Sequence, residues 1–230
     1  MSVRLSPRLS SAAEFVRQDA VFADIGTDHA YLPIFLLESG KIRSAVASDV
    51  NAGPLESAKR NAADRALLDK MTFVRCDGAQ ELMGLGITDY AICGMGGELI
   101  ADIIERAPWL CDGSLRLILQ PMSKQGELRR SLYKNGFSVE CERYTYDSGK
   151  YYVTLCVRYT GISVELDSSL AEIGLNIPDN VNKSAQIGYF EAKKCSILKK
   201  INGKTVSGND AFEEKKILSS IEERLALLKD

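Results

Sequence analysis

Apolar residues follow two alternating patterns along most of the chain. Short runs of strand length lie at residues 21–25, 44–49, 71–76, 90–93 and 115–119. They alternate with stretches in which apolar residues recur at helical spacing, at residues 30–37, 55–68, 99–107 and 127–135. Such alternation predicts an α/β fold with a mostly parallel sheet that helices cover on both faces.

The two ends of the chain depart from this alternation. Residues 1–19 predict an amphipathic helix, and residues 137–144 and 151–159 predict two strands joined by the turn Asp147-Ser148-Gly149. Two consecutive strands with a short turn indicate an antiparallel hairpin at one edge of the sheet. Residues 184–202 and 210–229 predict a coiled-coil-like helical hairpin around a turn-rich loop. We therefore expect an α/β domain at residues 1–160 and a helical hairpin at residues 161–230.

Composition narrows the class of protein. The chain has 230 residues, 45% of them hydrophobic, and a net charge of −2, so it is globular and not broadly basic. Its six cysteines include no C-x-x-C pair and His29 is its only histidine, which argues against a zinc site. No apolar run resembles a signal peptide or a membrane span. We expect a cytoplasmic protein without a metal or a membrane partner.

The run from Asp24 to His29 lies between a predicted strand and a predicted helix, where open α/β sheets bind ligands. Gly26 allows close backbone approach, whereas Asp24 and Asp28 would repel a pyrophosphate. Acidic groups suit a ligand with an amino group and a sulfonium cation. Asp28 has a plain alternative as a helix N-cap. His29 is a candidate for proton transfer or for shaping the pocket, and Tyr31 for stacking or for packing.

Further candidates follow the next three strands. Asp49 is placed to accept the two hydroxyls of a ribose, with helix capping as the alternative. Asp77 and Gly78 are placed to approach an adenine, although this dipeptide is also a common turn. The run Gly94-Met95-Gly96-Gly97 predicts that a ligand and a substrate pass close to the backbone, with a flexible turn as the alternative.

These motifs resemble those of the bacterial tRNA adenine-22 N1-methyltransferases. The similarity rests on residues 24–33, on Gly94-Met95-Gly96-Gly97 and on Leu119-Gln120-Pro121, and it covers residues 4 to about 160. The family often has Ser at the position of Thr27 and Asn at that of Met122. The first difference keeps a hydroxyl, and the second leaves no polar role for the side chain at position 122.

The resemblance implies a Rossmann-like class I methyltransferase fold that uses S-adenosyl-L-methionine and methylates N1 of an adenine in the D-loop region of tRNA. The base must then be unpaired or flipped out. We expect a monomer whose catalytic residues are Asp28, His29 and Tyr31. The candidate cofactor-binding residues are Asp24, Gly26, Asp28, Asp49, Asp77, Gly78, Gly94, Met95 and Gly96. The candidate phosphate contacts are Arg4, Arg8 and Arg17, or Lys193, Lys194, Lys199 and Lys200 on the helical tail.

Three alternatives remain open at this point. A methyltransferase that acts on a small molecule or a protein would suit the acidic pI of 5.7. A Rossmann-like binding module without catalysis is disfavoured by the presence of Asp24, Gly26, Asp49 and the glycine run. An NAD-dependent oxidoreductase is disfavoured because the G-x-G-x-x-G pattern is missing.

Overall fold

The computed structural model describes residues 3–175 and 182–229, which form seven strands and eight α-helices. The strands are β1 (Ala20–Ile25), β2 (Ile42–Asp49), β3 (Met71–Arg75), β4 (Asp89–Gly96), β5 (Arg116–Ser123), β6 (Phe137–Asp147) and β7 (Lys150–Tyr159). The helices are α1 (Pro7–Phe15), α2 (Tyr31–Glu38), α3 (Ala52–Ala63), α4 (Gly97–Glu105), α5 (Gln125–Lys134), α6 (Ser168–Ile173), α7 (Lys183–Val206) and α8 (Phe212–Lys229). The predicted helix at 1–19 and the predicted tail at 161–230 include residues 1, 2, 176–181 and 230, which lie outside the described residues.

All seven strands form one sheet in the order β3-β2-β1-β4-β5-β7-β6. The pairs from β3 to β5 are parallel, and β7 runs antiparallel to both of its neighbours. The structure thus confirms the predicted Rossmann-like sheet with an antiparallel hairpin at its edge.

Helices cover both faces of this sheet because successive strand residues point to opposite sides. Phe22 and Ala45 join the apolar cluster that α1, α2 and α3 cover, whereas Ala23 and Val46 join the cluster on the other face. That second face is covered by α4, α5, α7 and α8.

Several predicted boundaries were wrong. Helix α3 ends at Ala63 rather than at residue 68, and Ala66 takes a left-handed φ of 54°. Strand β4 continues through the glycine run to Gly96, with two irregularities in its pairing to β5. Helix α7 continues through Asn202 and Gly203 to Val206, so the predicted loop at 202–209 is largely helical. The short helix α6 was not predicted.

The helical tail packs directly on the sheet. Phe190 and Ile197 of α7 and Ile221 and Leu225 of α8 are buried in the same apolar cluster as β6 and β7. No helix among the described residues is both long and apolar enough to cross a membrane. The six cysteines, all of which are described, are free thiols.

A buried ion pair joins the tail to the sheet. Arg129 of α5 donates to both carboxylate oxygens of Glu142 on β6, at 2.8 and 3.0 Å, and both side chains are almost fully buried. Arg129 also donates to the carbonyl of Ala171 in α6, and Tyr144 donates to Glu142. Burial is the largest single influence and would lower the pKa of Arg129, but the charge of Glu142, the neighbouring Tyr144 and Tyr189 and the hydrogen bond to Glu142 together raise it. The Arg129–Glu142 pair and the hydrogen bond from Arg129 to Ala171 therefore hold α5, β6 and α6 together.

We predict that Arg129→Leu lowers the free energy of unfolding by about 3–5 kcal/mol, because Glu142 is left buried and unpaired. The double variant Arg129→Leu/Glu142→Leu should recover part of this loss. The matched control is Arg158→Leu, which removes the exposed pair with Glu140 and should cost about 1 kcal/mol or less. Urea unfolding measures all three, and equal losses for Arg129→Leu and Arg158→Leu would contradict the prediction.

Candidate functional site

A pocket of about 540 Å³ opens at the carboxyl edge of the sheet, where β1 and β4 are neighbours. Strand order reverses at this point, since β2 and β3 lie to one side of β1 while β4 and β5 lie to the other. The lining residues are Arg4, Leu5, Ser6, Arg8, Leu9, Asp24, Gly26, Asp28, His29, Ala30, Tyr31, Leu32, Cys93 and Gly94. The predicted run at residues 24–31 therefore lines one pocket, and α1 forms its other wall.

Asp24 is the buried acidic group of this pocket. Thr27 donates its hydroxyl to the Asp24 carboxylate at 2.7 Å. Burial nonetheless raises the pKa of Asp24 from 3.8 to about 6, with a further small contribution from the charge of Asp49. A carboxylate that is desolvated in this way interacts strongly with any cation that enters beside it.

The backbone of the loop after β1 is fixed to the neighbouring strand. The amides of Gly26 and Thr27 both donate to the carbonyl of Ser48 on β2, at 2.8 and 2.9 Å. Gly26 has a φ of 75°, and a Cβ at this position would collide with the end of the Met95 side chain. The backbone conformation favours glycine here, whereas the terminal methyl of Met95 belongs to a flexible side chain that can move aside.

Asp28, His29 and Tyr31 form a more exposed group at the mouth of the pocket. Asp28 is 80% exposed, and its carboxylate lies 3.3 Å from Nε2 of His29. The rings of His29 and Tyr31 stack with their centroids 5.2 Å apart. The N-cap of α2 is Ala30, in a left-handed conformation, so the capping alternative for Asp28 was wrong. Its carboxylate is instead directed to His29.

Asp49 and Asp77 differ in the extent to which their carboxylate oxygens already accept hydrogen bonds from the protein. One Asp49 oxygen accepts the amide of Asn51 at 2.7 Å, which orders the turn into α3 and leaves the second oxygen for a ligand. Asp77 instead accepts from Arg106 at 2.7 Å, and this hydrogen bond lowers the pKa of Asp77. Gly78 takes a left-handed φ of 65° beside Ile103. The adenine contact expected of Asp77 and Gly78 stays a prediction, and it competes with the Arg106 pair.

The glycine run is explained in part by contacts within the protein. A Cβ at Gly97 would overlap the backbone carbonyl of Lys124, so this glycine allows the turn after β5 to pack on the start of α4. Gly94 has a φ of 81° and faces the guanidinium of Arg8. Only Gly94 of this run lines the pocket, whereas Met95 reaches the pocket region through its contact with Gly26.

Arg8 lies in the pocket wall, a position that the sequence did not predict. Nη1 of Arg8 donates at 3.0 Å to the side chain of Gln120, which is fully buried near the end of β5. The only sequence signal was the motif Leu119-Gln120-Pro121, which did not indicate a partner 112 residues away. Arg4 and Cys93 also line the pocket and were not predicted there.

Some predicted phosphate contacts are occupied elsewhere. Arg17 pairs with buried Asp89 at the opposite, amino end of β4. Lys193 pairs with Glu172 at 2.5 Å, and Lys194 pairs with Glu222 at 2.8 Å. These three cations stabilise the fold, which leaves Arg4, Arg8, Lys199 and Lys200 as the better-placed candidates.

The chain is similar to known methyltransferases in both sequence and fold. Residues 5–155 match the family described as methyltransferase domain. The chain is 29% identical to the tRNA (adenine(22)-N(1))-methyltransferase of Bacillus subtilis, across 99% of this chain and 97% of that protein. The crystal structure of the B. subtilis m1A22 tRNA methyltransferase TrmK is 30% identical with a TM-score of 0.77, and covers 99% of this chain and 98% of its own.

A second similar structure contains a ligand. Sp1610 of Streptococcus pneumoniae in complex with S-adenosyl-L-methionine is 30% identical, with a TM-score of 0.78 over 95% of this chain and 98% of that one. All three similarities extend through the helical tail as well as the sheet.

We predict that Asp24→Asn stabilises the protein in the absence of ligand. Because the pKa of Asp24 is raised in the folded state, the wild-type protein becomes less stable as the pH rises from about 4 to about 6. The Asn side chain of the variant stays neutral throughout this range. At pH 7 the variant should be more stable by about 3 kcal/mol. Unfolding measured in urea at pH 4, 5, 6 and 7 gives the difference curve. Asp64→Asn, at the exposed C-cap of α3, is the control for charge removal, and a flat Asp24→Asn curve would refute the prediction.

Proposed function

The chain belongs to the methyltransferase domain family and, within it, to the tRNA (adenine(22)-N(1))-methyltransferases, and from this premise we propose that it methylates N1 of adenine 22 in tRNA with S-adenosyl-L-methionine as donor. One observation connects this activity with particular residues of the chain. The pocket at the strand-order reversal brings the buried acid Asp24 together with the exposed group Asp28, His29 and Tyr31. A donor site and an acceptor site thus share one opening.

The residues present fit the donor. Its amino group and sulfonium are cationic, and Asp24 offers a desolvated carboxylate whose ionised form such cations would favour. Asp49 keeps one carboxylate oxygen for the ribose hydroxyls, and Gly94 leaves room for close approach. The pocket volume of about 540 Å³ lies within the range of cofactor sites. When bound, S-adenosyl-L-methionine supplies an electrophilic methyl carbon on a positively charged sulfur.

The acceptor requires little acid–base chemistry from the protein. N1 of adenine carries an in-plane lone pair, so no base has to remove a proton before attack. The protein's task is to hold the base in line and to accommodate the positive charge that develops on the ring. Asp28 is placed for the second role, because its carboxylate lies at the pocket mouth beside His29. Tyr31 is 45% exposed and, stacked on His29, offers a face to the incoming base.

Recognition of the tRNA requires cations near this opening. Arg4 and Arg8 line the pocket itself, and Gln120 holds Arg8 in place. N1 lies on the pairing edge of adenine, so the base has to leave any pair before it enters. We also propose that the enzyme acts as a monomer in the cytoplasm, since one chain supplies every residue of the proposed site and tRNA is matured there.

Incubation of the enzyme with unmodified tRNA and labelled donor tests the proposal directly. Nucleoside analysis should show the label in 1-methyladenosine, and a transcript with guanine at position 22 should take up none. Label in any other nucleoside, or equal labelling of both transcripts, would overturn the assignment of substrate. Failure to bind S-adenosylhomocysteine in calorimetry would overturn the assignment of donor.

We predict that Asp28→Ala lowers kcat by about tenfold or more, because the developing charge on the base loses its neighbouring carboxylate. The affinity for S-adenosylhomocysteine should change far less, since the buried acid Asp24 remains. Asp28→Asn should resemble Asp28→Ala, which separates the charge of the group from its shape. Asp64→Ala is the control for loss of an exposed acid. Normal turnover of Asp28→Ala would remove Asp28 from the catalytic group.

A further inference from the structure

A second pocket, of about 280 Å³, lies between the start of α5 and the middle of α7. Lys124 and Tyr151 line it from the sheet side, and Tyr189, Lys193 and Lys200 line it from α7. The residues proposed for methyl transfer do not include any of these five, and α1, which walls the first pocket, does not line this one.

Both pockets lie at the same edge of the sheet. Strand β7 runs antiparallel to β5 with Leu155 opposite Leu119, and continuing this register places Tyr151 level with Ser123, the last residue of β5. Lys124 directly follows β5. The β6–β7 hairpin also contacts the wall of the first pocket, because Thr154 shares a hydrogen bond of 2.7 Å with Ser11 of α1. A polymer bound at the first pocket therefore has the second within reach along one continuous edge.

Tyr151 gives the second pocket an aromatic wall that water can reach. Its side chain is 37% exposed, and its ring lies 4.9 Å, between centroids, from the ring of Tyr146, which is 54% exposed. A Cβ at Gly188 would overlap the Tyr151 ring, so the glycine in α7 allows the ring to lie against the helix. Exposed aromatic faces beside cations are typical of surfaces that stack nucleic-acid bases.

The charges of the pocket are only partly satisfied by the protein. Lys193 pairs with Glu172 at 2.5 Å, and Lys124 pairs with Glu127 at 3.3 Å. Lys200 is exposed and forms no ion pair among residues 3–175 and 182–229. The one carboxylate whose pKa its charge helps to lower, Glu214, is already paired with Lys204 at 2.8 Å. An anion would therefore meet Lys200 without displacing an internal partner.

We propose that this second pocket binds a nucleotide of the tRNA other than the target adenine, with its base stacked on Tyr151 and its phosphate at Lys200. The inference rests on the proposed function, because it takes tRNA as the polymer. It adds a contact at a second position of that tRNA, so the pocket contributes to substrate affinity rather than to methyl transfer.

Anisotropy of labelled tRNA with the full-length protein tests the pocket. Tyr151→Leu should weaken binding about tenfold, and Tyr151→Phe should keep wild-type affinity because the ring is retained. Lys200→Ala should weaken binding about threefold or more and reduce its salt dependence. Gly188→Ala should weaken binding as well, because the new methyl displaces the Tyr151 ring. Lys215→Ala on α8 is the matched control, and calorimetry with S-adenosylhomocysteine should be unchanged in every variant.

The outcomes separate this inference from the proposed function. If the wild type methylates tRNA but Tyr151→Leu binds it as tightly as Tyr151→Phe, the second pocket is not a tRNA site. If the wild type binds tRNA in a Tyr151-dependent manner but forms no 1-methyladenosine, the proposed function fails and the pocket stands. Adenosine monophosphate that binds as tightly as tRNA, and loses that affinity in Tyr151→Leu, would assign the pocket to a free nucleotide and overturn the inference.

Discussion

The reversal of strand order between β1 and β4 is the constraint on which the site depends. Helix α2, which follows β1, packs on one face of the sheet, whereas α4, which follows β4, packs on the other. The two connections therefore diverge and leave a crevice at the carboxyl edge. Asp24 and Gly94 face the same pocket for this reason, although 70 positions separate them in the chain. Every proposed role of the residues after β1 follows from this geometry.

A second constraint holds the tail to this edge. The buried pair of Arg129 and Glu142 joins α5 to β6 and reaches the last residues of α6, and Tyr144 adds a hydrogen bond to the same carboxylate. Since α7 then packs its apolar side against β6 and β7, the tail is continuous with the core. The division into domains at residues 160 and 161 stays a prediction. The tail forms a third layer of the fold, and its removal would expose to water the apolar face of the sheet that it covers.

The features that depend on a short-range pattern of residues could be predicted from the sequence. Apolar alternation located the strands and the edge hairpin, and the position of residues 24–29 between a strand and a helix located the pocket. Contacts set by tertiary structure were not predictable. Arg8 meets Gln120 only because α1 crosses the sheet, and Asp77 is held by Arg106 from the end of α4. Asn202 and Gly203 signal a turn locally, yet α7 continues through them to Val206. Residues 202 and 203 are exposed, and the ion pair between Lys204 and Glu214 links this end of α7 to α8.

A net charge of −2 is compatible with a polyanionic substrate because the charges are distributed unevenly. Several carboxylates are paired within the protein, where buried Glu142, partly buried Glu172 and exposed Glu222 each hold a cation of their own. The same pairing removes Lys193 and Lys194 from the set available to phosphate, so the lysine-rich tail is not uniformly basic. Arg4 and Lys200, which form no ion pair with the described residues, line the two pockets of the carboxyl edge. On the proposed function, recognition of tRNA is therefore local to this edge, and total charge is a poor guide to it.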